Sequence, residues 1–163
     1  MIMKNHIYIS VRPEKLWDLV ANPVHCMAWN PKIKKVIPVT LGEPRAGAQY
    51  RIRYRLVGGE NNYTAEFMEY EKPVRCVLHL KGGTLPGRGY IQEIYEIADQ
   101  ENGCVFTQTI LIEQAGRLFP GSVKMKIMNF LGADSARRYL QKLKRLAESS
   151  LSDRAVPSPG TTA

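Results

Sequence analysis

The chain has 163 residues, 44% of them hydrophobic, with a mean hydropathy of -0.27, which suits one domain with a core, or a core and a pocket. Lys and Arg number 23 against 15 Asp and Glu, a net charge of +8, and such a balance invites anionic partners such as nucleic acid or a phospholipid surface. No run approaches the roughly 18 consecutive apolar residues of a membrane-spanning helix.

The N-terminus is polar within four residues and shows no apolar signal-peptide region, so export is not expected. Three widely spaced cysteines, Cys26, Cys76 and Cys104, suit buried free thiols in a reducing cytoplasm better than a disulfide framework. His6-Ile7-Tyr8-Ile9-Ser10 reads as an extended opening segment. Pro13 can begin a helix without losing a hydrogen bond, because its missing N–H would be unpaired there anyway. Leu16, Leu19 and Val20 then recur at helical spacing and give one apolar face. A second short helix is expected before Trp29-Asn30-Pro31, followed by a strand that runs from near Lys35 to Leu41 and ends at Gly42-Glu43-Pro44.

This opening, with Pro13-Glu14-Lys15-Leu16-Trp17 and Trp29-Asn30-Pro31 as its signatures, resembles the START/birch-allergen superfamily, often called SRPBCC, in its polyketide cyclase and lipid-transport branch. The resemblance spans about residues 3 to 148. It implies an α+β helix-grip fold, in which a curved antiparallel sheet wraps around a long C-terminal helix, with two short helices near the N-terminus. It also implies a cavity for apolar ligands between sheet and helix, and it supplies no catalytic residue.

The rest of the chain reads as the matching meander. Tyr50, Ile52, Tyr54 and Leu56 alternate with Arg51, Arg53 and Arg55, so one face of that strand is buried and the other wet. Gly58-Gly59-Glu60-Asn61 suits a tight hairpin, a strand follows over about 62–70, and Lys72-Pro73 turns the chain. Val74, Cys76, Leu78 and Leu80 alternate up to Gly82-Gly83, and two long strands, about 89–97 and 104–113, are joined by Asp99-Gln100-Glu101-Asn102-Gly103. A helix is expected from about Gly121 to Ser150, with Met125, Met128, Gly132, Ala136, Tyr139, Leu143 and Leu146 on its sheet-facing stripe. Val123, Ile127, Phe130 and Leu131 fall on nearly the opposite side of its first half. Residues 1–150 therefore form one domain, and the Ser/Pro/Thr-rich residues 151–163 are expected to be a disordered tail.

Two polar residues interrupt phases that would otherwise face inward. Glu93 sits in Ile91-x-Glu93-x-Tyr95-x-Ile97, and Gln108 sits in Cys104-x-Phe106-x-Gln108-x-Ile110-x-Ile112. A buried carboxylate costs several kcal/mol unless paired or protonated, so inward placement would mark a group that orients a ligand or moves a proton. The blander alternative, favoured on sequence alone, puts Tyr90, Gln92 and Ile94 inside instead. Trp29 lies where the resembling family closes one end of the cavity, as a core anchor or a ligand contact. Tyr50, Tyr54, Phe67, Leu78, Tyr95 and Met128 are further candidates for a mainly apolar lining, each equally readable as core.

Leu118 and Phe119, between two glycines and a proline and flanked by Arg117 and Lys124, could gate the cavity or dip into an anionic bilayer edge; the favoured alternative is that they plug the core. His6, His25 and His79 show no metal-ligand spacing, His25-Cys26 need not form a nucleophile–base pair, and no cofactor-binding or nucleotide motif is present. The glycine-rich stretch 82–89 lies between strands and reads as a hairpin rather than a phosphate cradle.

Three functions follow in order. The first is binding, with transport as an extension of it, of a hydrophobic small molecule such as a lipid, quinone or polyketide in an internal cavity. The second is a polyketide cyclase/dehydratase-type enzyme using Glu93 or Tyr95 as acid or base. The third is an RNA- or ribosome-associated protein. Between Pro120 and Ser150 seven cations meet only Asp134 and Glu148, but that helix lacks interleaved exposed aromatics for base stacking, so nucleic acid is the least favoured partner. Oligomeric state is open, although an uncovered stripe around Ile127 and Phe130 could serve a dimer.

Overall fold

The computed structural model describes residues 1–56, 59–83, 89–113 and 133–152. In chain order these form β1 (Ile2–Ile9), α1 (Pro13–Val20), α2 (Pro23–Cys26), β2 (Ile33–Pro38), β3 (Gln49–Leu56), β4 (Gly59–Glu71), β5 (Arg75–Gly82), β6 (Tyr90–Gln100), β7 (Gly103–Glu113) and α3 (Ala133–Ser152). The strands make one antiparallel sheet in the order β1-β7-β6-β5-β4-β3-β2. Each strand from β2 to β7 pairs with its sequence neighbour, and β1 closes against β7, with Ile2 opposite Leu111 and Ile9 opposite Cys104. α1 and α2 carry the chain from one edge strand, β1, to the other, β2. The architecture is the α+β helix-grip expected from the sequence: a curved open sheet, two short N-terminal helices and a C-terminal helix.

Local chemistry explains the elements. Pro13 is the first helical residue of α1, and Leu16, Trp17 and Val20 are its buried face. The Asn22 side chain accepts from the Val24 backbone N–H at 3.0 Å, capping α2. In β3, Tyr50, Ile52 and Tyr54 are buried while Arg51, Arg53 and Arg55 are exposed, as period two predicts. The β6–β7 hairpin turns through Asn102 at φ 62°. The next residue must be glycine for a different reason: a Cβ at Gly103 would stand 2.5 Å from the Ile9 carbonyl oxygen, so any side chain there would force β1 off β7.

The structure moves several expected positions. Val74, read as the first inward residue of β5, is exposed, because it closes the turn from Glu71 through its backbone N–H (2.7 Å) before β5 begins. On α3 the buried stripe is Ala136, Tyr139, Leu140, Leu143 and Ala147. Leu146, expected on it, is exposed: at about 100° per residue it lies some 70° from the stripe's centre, beyond Tyr139. The favoured inward phase of β6 is also reversed, since Ile91, Glu93, Tyr95 and Ile97 are the buried residues and Tyr90, Gln92 and Ile94 are only half-buried. Gln108 is buried in the same way on β7. Met125, Met128 and Gly132 of the expected helix, the Leu118–Phe119 gate, the outer stripe around Ile127 and Phe130, and residues 153–163 of the expected tail lie outside the described residues.

The core fills the concave side of the sheet beneath α1, α2 and α3, with Trp17, Trp29, Phe106, Leu16, Ile52, Leu80 and Ile110 fully buried. Side chains of this size each contribute about 1.5–3 kcal/mol through burial. Cys26, Cys76 and Cys104 are buried free thiols.

Candidate functional site

The middle of this apolar interior holds a set of hydrogen-bonded polar groups. Glu93, on β6 in the interior of the sheet, is 1% exposed. The Tyr54 hydroxyl, from β3, donates to its Oε1 at 2.8 Å, and the Tyr95 hydroxyl, two residues along β6, donates to its Oε2. Period two places Glu93 and Tyr95 on the same face, while the curl of the sheet brings β3 round to meet them. On β7 next door, Gln108 Oε1 accepts from the Tyr139 hydroxyl of α3 at 2.7 Å. Gln108 Nε2 is buried and has no hydrogen-bond partner among the described residues.

A cation completes the set. Lys32, just before β2, is 3% exposed, and its Nζ lies 4.6 Å from the centre of the Tyr139 ring, a cation–π geometry. Its neighbour Asn30 is fully buried, and the Asn30 side-chain oxygen accepts from the Lys32 backbone N–H at 3.1 Å. Trp29 anchors the segment: its indole Nε1 donates to the Leu19 carbonyl of α1 at 3.0 Å. Its ring stands 6.3 Å from Tyr95, 6.1 Å from Phe106 and 6.0 Å from Tyr139. The short 29–32 segment therefore joins the aromatic floor of the site to its cation.

Electrostatics follow from the dryness of the place. Burial raises Glu93 above the ordinary carboxylate range, against the hydrogen bonds from Tyr95 and Tyr54 and the charge of Lys32. Burial likewise lowers Lys32 to about 8, against the attraction of Glu93. Tyr95 and Tyr54 are both pushed well above the usual phenol value, chiefly by burial and then by the neighbouring Glu93; Tyr139 moves the same way. The phenols thus stay neutral and act as donors, while Glu93 and Lys32 are the two groups whose protonation is poised. Chemically, the cluster can hold a polar group of a bound molecule, or exchange a proton with one.

Of the residues singled out from sequence, Tyr54, Glu93 and Tyr95 meet directly, Gln108 joins through Tyr139, and Trp29 packs against Tyr95 and Tyr139. Leu78 is the cross-strand neighbour of Glu93 on β5 and the neighbour of Phe67 on β4. Tyr50 and Phe67 sit apart, in an aromatic run where Phe67 meets Tyr50 at 5.9 Å and Tyr70 at 5.1 Å, and Tyr70 in turn meets Trp17 at 5.2 Å. Lys32, Asn30 and the role of Tyr139 were missed. No local pattern marks Lys32 in the sequence; its burial beside Ile33, where alternation fails at the start of β2, shows only in the structure.

His25 and Cys26 do not form a dyad: the His25 Nδ1 lies 2.6 Å from the Asp18 carbonyl oxygen, and the Cys26 thiol donates to the Val20 carbonyl at 3.2 Å. Burial pushes Cys26 well above the usual thiol value, so it is a poor nucleophile. Among the described residues no group of three or more His, Cys, Asp and Glu could hold a metal ion, and no helix is long and apolar enough to cross a membrane.

A family model described as polyketide cyclase/dehydrase and lipid transport matches residues 2–148. The uncharacterized protein Rv2574 of Mycobacterium tuberculosis is 26% identical over 150 residues, covering 90% of this chain and 84% of its own. Among solved structures, TTHA0849 from Thermus thermophilus superposes with a TM-score of 0.72 at 13% identity, covering 92% of this chain and 99% of the other. A START superfamily protein from Mycobacterium smegmatis gives 0.70 at 13% identity, with 91% and 98% covered.

Proposed function

Because the chain belongs to the polyketide cyclase/dehydrase and lipid-transport family, we propose that it binds a hydrophobic small molecule, such as a lipid, quinone or polyketide, on the concave side of the sheet, with the molecule's polar group held at Glu93. The family itself suggests hydrophobic ligand binding or polyketide processing. The observation that carries the finer reading is the buried Glu93 with its two tyrosine donors, beside a buried lysine and a Gln108 amide nitrogen with no partner among the described residues. An apolar residue of similar size at position 93 would serve the fold without the desolvation cost, which is several kcal/mol for a buried ion. The apolar neighbours of the cluster, Trp29, Leu78 and Phe106, suit a hydrocarbon or aromatic body, and the few convergent polar groups suit a single oxygen-bearing end.

Native mass spectrometry of freshly purified protein, followed by solvent extraction, tests this. A defined adduct that extracts as an apolar molecule, and whose retention falls in Glu93→Gln, is the expected result. Bare protein that also fails to bind added fatty acids, quinones and aromatic polyketides would overturn the reading.

A second reading rests on the same cluster. Glu93, raised toward neutrality and hydrogen-bonded to Tyr95, has the make-up of a general acid or base for cyclisation or dehydration of a polyketide chain. Turnover of an aromatic polyketide intermediate that Glu93→Gln abolishes, with binding retained, would select the enzyme over the container.

A further inference from the structure

The opposite face of the sheet carries a different chemistry. Lys35 on β2 stands directly across from Arg53 on β3, and Ile37 across from Arg51. Arg51 and Arg53 pair in turn with Thr64 and Asn62 on β4, and Thr64 pairs with Lys81 on β5. These residues line one open cleft of about 460 Å³ on the outer face. Like charges directly opposite one another destabilise a sheet, yet among the described residues none of Lys35, Arg51, Arg53 or Lys81 joins an ion pair. Acids on this face include Glu60, opposite Arg55, Glu66, whose Oε2 accepts from Gln49 Nε2 at 3.2 Å, and Glu113, opposite Tyr90. Glu43 lies in the loop beyond β2.

Beside the cations runs an exposed apolar series. Ile37 is 45% exposed, Val39 49% and Leu41 84%, following one another along edge strand β2 and the loop that leaves it. The loop is held in place, since the Val39 and Thr40 backbone N–H groups both donate to the Gln49 carbonyl at 2.9 and 3.1 Å. We infer that this face docks the protein on an anionic phospholipid surface: Leu41, Val39 and Ile37 enter the headgroup region while Lys35, Arg51, Arg53 and Lys81 meet lipid phosphates. Cations beside protruding aliphatic side chains are the pairing that such a surface rewards. A polynucleotide would reward cations beside freely exposed aromatic rings instead; Tyr63 in the lining of this cleft is buried, and Tyr90, across from Lys81 on the same face, is half-buried and donates its hydroxyl to Glu113.

This surface is separate from the concave site, so it stands or falls independently of what that site binds. Flotation with phosphatidylcholine vesicles, with and without phosphatidylglycerol, tests it. Binding is expected only to the anionic vesicles and should weaken as salt rises. Each cation near such a surface is worth roughly fivefold in affinity, so Arg51→Gln with Arg53→Gln should weaken binding by about tenfold or more. Leu41→Ser, with every charge kept, should weaken it about threefold or more, taking about 0.8 kcal/mol per buried methylene. Arg138→Gln with Lys142→Gln on α3, which alters another exposed basic surface, should leave binding in place. All variants are checked for an unchanged melting temperature, and the glutamine pair removes like charges rather than contacts. Binding that survives the β3 changes, binding lost only through α3, or affinity for single-stranded RNA without affinity for vesicles would each overturn the inference.

Discussion

The two faces of β3 make the comparison that best explains this molecule. Tyr50, Ile52 and Tyr54 look into the interior, and Arg51, Arg53 and Arg55 look out, within one strand. Inside, the charge-bearing groups Glu93 and Lys32 are few, and Tyr54 and Tyr95 donate to Glu93 in an environment where desolvation dominates. Outside, cations stand beside cations, which water tolerates because exposed charges are screened within about 8 Å at physiological salt. The same residue class therefore carries different meaning on each face. An interior charge reports a specific hydrogen-bond arrangement, whereas an exterior one reports the field the protein presents.

That contrast can be broken by substitution, beginning with the largest effect. Trp29→Ala should cost about 3–5 kcal/mol in chemical denaturation, as for other buried aromatics, while Ile37→Ala on the outer face should change stability by less than about 0.5 kcal/mol. A similar cost for both would mean that the interior is not packed around Trp29.

Lys32 sharpens the comparison through pH. Its folded value of about 8 lies below its ordinary 10.5, so between those limits the folded state holds fewer protons than the unfolded one, and stability rises with pH across that window. Below about pH 8 the full cost is present, roughly 3 kcal/mol; above 10.5 it is gone. Denaturation of wild type and Lys32→Met should therefore differ by an amount that moves in favour of wild type as pH climbs from 8 to 10.5. A constant difference would place the Lys32 ammonium in water.

Tyr54→Phe leaves Glu93 with one phenol donor and should cost about 1–3 kcal/mol when the carboxylate is charged. Glu93 has the opposite sign to Lys32: with its folded value raised, it favours the fold at low pH, and that contribution is lost as pH rises through the raised value. In Tyr54→Phe the loss should extend to higher pH, and in Glu93→Gln it should vanish. The smallest effect belongs outside. Lys35→Glu turns the pair with Arg53 from repulsive to attractive and should stabilise by about 0.2–1 kcal/mol, less as salt is added. Destabilisation by this change would mean that Lys35 makes a contact the face does not show.

Much of this arrangement was legible from residue order. The strand–helix–helix opening, the alternation of β3 and the inward stripe of α3 through Ala136, Tyr139 and Leu143 all follow from periodicity, which depends only on local geometry. Glu93 was recognised as a candidate, but its phase was not, because both phases of β6 mix apolar with polar residues. In the interior Glu93 meets Tyr54, which arrives from 39 residues away, and no local pattern encodes that. Lys32 was invisible for a related reason: lysines are ordinarily exposed, and this one is buried because Trp29 and Asn30 pin the chain just before it. Leu146 failed through geometry alone, lying at the margin of a stripe whose centre the sheet determines.

The most direct test of the central claim is a carbon-13 NMR titration of the Glu93 side-chain carboxyl in protein stripped of bound molecules, repeated after the extracted molecule is added back. The expected result is a midpoint above the ordinary carboxylate value that is absent from the spectrum of Glu93→Gln and moves when the molecule returns. A midpoint at the ordinary value, unmoved by the added molecule, would contradict it.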